Sequence, residues 1–158
     1  MIDEQELFNR IDSKFVKFGS RGFDCEYDED SDYDYIMSEE SALKLMKYLD
    51  KTNIKYIDKG NILKESSGGY DYIPNNKLYN THNLKMLING KMVNIISYPE
   101  EEISIVYEII DSIRTMLATN NNVSDLFKSN KEARIMIING FFNAVFRNFK
   151  NEEDEIAF

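Results

Sequence analysis

The run Leu84 to Ile88, the dipeptide Asn89-Gly90 and the run Lys91 to Tyr98 constrain the fold more than any other stretch. Two apolar-rich segments flank a two-residue link. Asn-Gly tolerates the positive φ angles of a type I′ turn, whose twist matches that of the strands it joins. A β-hairpin is therefore predicted, and an isolated hairpin is marginal in water, so further strands and a packed face must accompany it.

Other segments have helical spacing. In Asp3 to Asp12, Leu7, Phe8 and Ile11 fit a short amphipathic helix, and Lys14 to Phe18 then reads as a strand ended by Gly19. Tyr33 to Met37 reads as a second strand. Ser38 followed by Glu39 and Glu40 supplies an N-cap and a first turn that suits the helix dipole. The helix that follows is expected to reach about Lys51, with Ala42, Leu45, Met46 and Leu49 on its buried stripe. Ile54 to Ile57 is a short strand. Between Gly60 and Thr81 the periodicity is weak, with a turn at Ser66 to Gly69. Pro99 and Glu100 to Glu102 open a helix bearing Ile103, Val106, Tyr107, Ile110, Ile113 and Leu117, ended by the polar break Asn120 to Asn122. Ser129 and Glu132 form a capping-box pattern before a last helix, Lys131 to about Lys150, with Ile135, Ile138, Phe142, Val145 and Phe149 on one face.

The expected class is α/β (α+β): a small mixed sheet with flanking helices and two C-terminal helices. With only two prolines and no repeat, the chain reads as one domain over 1–158, its C-terminal helices starting near 99 and an acidic, frayed tail at 151–158. One cysteine, Cys25, excludes an internal disulfide framework and a thiolate zinc site, and suits a reducing cytoplasm. No apolar run approaches the ~18 residues of a membrane span, and the charged opening is unlike a signal peptide, so a soluble cytoplasmic protein without membrane partners is expected. With 28 acidic against 19 basic residues the formal charge is −9, a field that argues against extended nucleic-acid binding.

Chemistry concentrates between Phe18 and Ile36. Gly19 permits close backbone approach at a turn, and the Ser20 hydroxyl with nearby backbone N–H groups suits a phosphate oxygen. Asp32 and Asp34 are two residues apart, so in a strand both carboxylates leave one face, ready to grip a hard divalent cation. They sit among Tyr33, Tyr35 and Ile36, where a carboxylate needs a compensating partner. The acids Asp24, Glu26, Asp28, Glu29 and Asp30 read instead as a solvated loop. Arg21 either binds phosphate beside Ser20 or neutralises that loop.

The pattern Phe18-Gly19-Ser20, eleven residues from Arg21 to Ser31, then Asp32-Tyr33-Asp34 resembles the signature of the nucleotidyltransferases of the DNA polymerase β superfamily. The order of elements from Asp3 to about Tyr98 is similar to that of short single-domain members from bacteria and phages. The resemblance implies a nucleotidyltransferase-type sheet, with Gly19, Ser20 and Arg21 binding a nucleoside triphosphate and Asp32 and Asp34 catalytic and holding Mg2+ or Mn2+. It implies transfer of a nucleotidyl group, and the net charge favours a protein or small-molecule hydroxyl as acceptor. The family carries a third carboxylate on a later strand; here the local counterpart is Asn94, whose amide cannot act as a base. Asp71 or a substrate carboxylate is a possible substitute.

Two other classes compete: a catalytically impaired scaffold that binds nucleotide or protein, and an acidic inhibitor or nucleic-acid mimic. A calcium loop fits Asp28, Asp30, Asp32, Asp34 and Glu39 by spacing, but the position that requires glycine is Tyr33 and no helix enters it. His82 has no second His or Cys to share a metal. Acids around Cys25 are expected to raise its pKa. Ser66 to Gly69 lacks the lysine of a P-loop. Phe141, Phe142, Phe146 and Phe149 read as core.

Overall fold

The computed structural model describes residues 3–61 and 82–156. Within them five strands form one mixed sheet: β1 Phe15–Phe18, β2 Tyr33–Ser38, β3 Tyr56–Asn61, β4 His82–Ile88 and β5 Lys91–Tyr98, in spatial order β1-β2-β5-β4-β3. The central β2–β5 pair is parallel and the other three pairings are antiparallel. The helices are α1 Glu4–Arg10, α2 Gly19–Gly22, α3 Glu39–Thr52, α4 Glu100–Thr119, α5 Asn121–Ser129 and α6 Lys131–Ile156. The expected class, a mixed α+β fold, is what the chain adopts.

Local chemistry accounts for most boundaries. Asn89 and Gly90 have φ of 53° and 78°, the pair of positive values that a type I′ link requires. Asp3 caps α1 by accepting from Glu6 N at 2.9 Å, and Ser38 caps α3 by accepting from Ser41 N at 3.1 Å. Asn53, in the left-handed region, ends α3. Strand β3 starts two residues later than Ile54, because Ile54 N is still bonded to Leu49 O at the end of that helix.

The C-terminal half departs from expectation in four places. Asn120, read as part of a break, accepts from Val123 N at 3.1 Å and so starts a further helix, α5. Asn130, rather than Ser129, caps α6 through Ala133 N at 3.0 Å. The buried stripe of α6 runs Arg134, Ile138, Phe142, Phe146 at spacings of four, which leaves Val145 37% exposed. Helix α6 also continues past Lys150, to Ile156. The Ser66 to Gly69 turn and Asp71 lie outside the described residues.

Strand alternation divides the core in two. On one face Val16, Phe18, Ile36, Ile96 and Tyr98 pack against Val106, Ile110 and Ile113 of α4, Phe127 of α5, and Ile138, Phe142 and Phe146 of α6. On the other, Tyr35, Met37, Leu84, Met86, Val93 and Ile95 pack against Leu7 and Phe8 of α1 and Ala42, Leu45 and Leu49 of α3. Each fully buried side chain of this kind contributes about 1.5–3 kcal/mol. Among the described residues no helix is long and apolar enough to cross a membrane.

Candidate functional site

The first face carries polar residues where the apolar core stops. Cross-strand register sets Phe18 opposite Asp34, Asp34 opposite Asn94, Asn94 opposite Lys85 and Lys85 opposite Ile57. One row across the five strands thus reads apolar, carboxylate, amide, ammonium, apolar. Asn94 donates from Nδ2 to Asp34 Oδ1 at 3.2 Å, and Lys85 Nζ lies 3.4 Å from Oδ2 of Asp32, just before β2. Lys85 was not among the residues singled out from sequence. Its only local signal was alternation within the hairpin, and its place beside Asp32 depends on pairings that no local pattern specifies.

The Gly-Ser turn closes directly on this row. Strand β1 ends at Phe18, opposite Asp34, and the chain turns at once into α2 with Gly19 at φ 71°. A Cβ at Gly19 would fall inside the van der Waals envelope of Asp34 Oδ2, so only glycine lets this backbone meet that carboxylate. Ser20, half-buried, follows on the same turn and holds it through its carbonyl, which accepts from Cys25 N at 2.8 Å. Arg114 of α4 braces the turn from behind, donating to Lys17 O at 2.7 Å and to Gly22 O at 2.8 Å.

Arg21 is held by the acidic loop. It donates to Ser31 O at 3.1 Å and Glu29 O at 3.0 Å, and its guanidinium stacks on Tyr27 and Tyr33 at 4.2 and 3.9 Å. These are the contacts of a clamp on the segment leading into Asp32. The five acids Asp24, Glu26, Asp28, Glu29 and Asp30 are solvent-exposed, as a solvated loop requires. The helix before them, α2, is only four residues long, so nothing like the entering helix of a calcium loop precedes them.

Burial pushes the Asp34 carboxyl up to about 7; Asp32 adds to this, while the Asn94 hydrogen bond and Lys85 oppose it. Burial also raises Cys25, which is 4% exposed; Arg134 and Lys128 lower it and Asp24 contributes least, so desolvation rather than neighbouring acids is the main cause. Cys25 is a core residue. His82 opens β4 opposite Ser97, half-buried.

Asn94 Oδ1 is buried without a hydrogen-bond partner while its Nδ2 faces Asp34. A half-turn of the amide exchanges the two atoms, and an oxygen facing a carboxylate is favourable when a cation lies between them. The oxygen-bearing side chains near this row are Asp34, Asn94 and, just before β2, Asp32. No group of three His, Cys, Asp or Glu side chains suited to a metal occurs among the described residues.

Comparison of the chain with protein-family models, curated proteins and solved structures gives no match.

Proposed function

We propose that this chain is a metal-dependent nucleotidyltransferase acting on a nucleoside triphosphate and a hydroxyl of a protein or small molecule. The observation that carries the reading is the approach of the Gly19-Ser20 turn to Asp34 at a distance only glycine permits. A phosphate seated on that turn lies next to the carboxylates that would hold its cation.

The roles follow from position. Ser20 and the backbone N–H groups of the turn orient the triphosphate, and Arg21 keeps Asp32 at its post by clamping the loop. Asp32 and Asp34 would hold Mg2+ or Mn2+, with Asn94 offering an amide oxygen. When bound, the cation neutralises phosphate charge and favours departure of pyrophosphate. The acceptor oxygen forms its bond to the α-phosphorus as the bond to the bridging oxygen breaks. The acceptor proton leaves to solvent or to a substrate group, because the Asn94 amide cannot take it.

A second reading rests on the same amide. The Asn94 to Asp34 hydrogen bond gives the third position a neutral partner that completes the pair without a base, which suits a scaffold that binds nucleotide without turnover. One experiment separates the readings: each α-labelled nucleoside triphosphate is incubated with Mn2+ or Mg2+, host extract and either wild type or an Asp32→Asn/Asp34→Asn variant. Label passing to an acceptor with wild type alone supports transfer. Nucleotide binding without transfer favours the scaffold. Absence of metal-dependent binding overturns both.

A further inference from the structure

The carboxylates face a fixed cation that the nucleotidyl-transfer reading leaves unused. Lys85 Nζ sits 3.4 Å from Asp32 Oδ2, and among the described residues Asp32 is the acceptor that holds it. Both side chains are about one-third exposed, at 32% and 33%, so the pair is neither buried out of reach nor free in solvent. Lys85 stands on the same sheet face as Asp34 and Asn94, one strand beyond Asn94 in the row. An ammonium on a four-carbon stem can swing several ångströms from this position without moving the strand.

We propose that Lys85 is a place-holding cation: it neutralises Asp32 until a metal–triphosphate complex arrives, then passes its ammonium to the phosphate. The proposal rests on the reading of this site as one for a divalent ion and a nucleoside triphosphate, and adds how the two ligands are coupled. A divalent ion arriving alone competes with Lys85 for Asp32 and meets its repulsion at short range. An ion arriving with a triphosphate brings negative oxygens that give the displaced ammonium a new partner. Metal and nucleotide must then strengthen each other's binding, by the same factor in either direction. A protein built this way resists loading by the free ion, and accepts it as part of the substrate complex.

The test compares wild type, Lys85→Met and Lys85→Arg. Binding of Mn2+ alone is followed by electron paramagnetic resonance, and binding of each labelled nucleoside triphosphate by equilibrium dialysis with and without Mn2+. Lys85→Met is expected to bind Mn2+ alone roughly fivefold more tightly, because the competing ion pair is gone, and to bind the triphosphate at least fivefold more weakly in the presence of Mn2+. Lys85→Arg, which keeps the charge, is expected to retain most of the wild-type coupling. If wild type binds the metal–triphosphate complex and Lys85→Met shows the same Mn2+ affinity and the same coupling, the role of Lys85 is overturned while the site reading survives. If wild type binds neither Mn2+ nor triphosphate, both fall. A Lys85→Arg protein that behaves like Lys85→Met also overturns the proposal, since charge would then not be the operative property.

Discussion

Asn94 donates a hydrogen bond from Nδ2 to Asp34 Oδ1 at 3.2 Å across the parallel pairing of β2 and β5, joining residues sixty positions apart. The bond stabilises the ionised carboxylate, yet desolvation outweighs it and the Asp34 pKa stands at about 7, above the ordinary carboxylate range.

That elevation fixes the sign of a pH effect in metal-free protein. Between about pH 4 and 7 the native state holds a proton on Asp34 that the unfolded chain has released. Stability is therefore highest below the unfolded pKa and declines as pH rises through 7. Urea denaturation without divalent ions is expected to show a loss of a few kcal/mol from pH 5 to pH 8. Asp34→Asn, which cannot ionise, removes most of that slope.

On the proposed reading, a bound cation would reverse that penalty by neutralising the ionised pair. At pH 8, saturating Mn2+ with a nucleoside triphosphate is expected to raise the melting temperature of wild type by several degrees, since occupancy at about a hundredfold excess over Kd contributes about 2.7 kcal/mol. Differential scanning fluorimetry of Asp32→Asn/Asp34→Asn should show no such rise. An equal rise in that variant places the metal elsewhere.

Asn94→Asp introduces a carboxylate opposite Asp34. Without metal at pH 8 it sets two acids directly opposite each other on adjacent strands, at an expected cost of about 1–3 kcal/mol that Mn2+ recovers. If the amide limits transfer, labelled-nucleotide turnover rises at least tenfold in this variant.

Gly19→Ala tests the contact between turn and carboxylate. The positive φ and the collision with Asp34 predict a destabilisation of about 1–3 kcal/mol by urea titration. Metal-dependent nucleotide binding falls with it. The double variant Gly19→Ala/Asp34→Asn keeps the collision, so its urea destabilisation persists although the charge is gone.

Features decided within a few residues were legible in the sequence. Asn89-Gly90 specifies its own turn, Ser38 caps a helix through an N–H group three residues away, and the spacing from Gly19 to Asp34 marks a turn and a second strand. Features decided by distant partners were not. The meeting of Lys85 with Asp32 requires the register of β4 on β5 and of β5 on β2. The three asparagines at 120–122 are ambiguous because Asn both ends and begins helices, and Asn120 does both here. Val145 and Phe146 both read as inward from the sequence, and only Phe146 is buried, because the stripe through Ile138 and Phe142 runs at spacings of four and Val145 lies about 100° away from it.

Arg114 gives these contacts a wider meaning. It reaches back more than ninety positions to hold the carbonyls of Lys17 and Gly22, on either side of the Gly-Ser turn. A fragment ending after the hairpin would contain Gly19, Ser20, Asp32, Asp34, Lys85 and Asn94, but not the helix that braces the turn. The motif is therefore not portable: grafting residues 15–98 onto another scaffold transplants the functional groups without the strut that positions them, and a designer would have to supply an equivalent guanidinium.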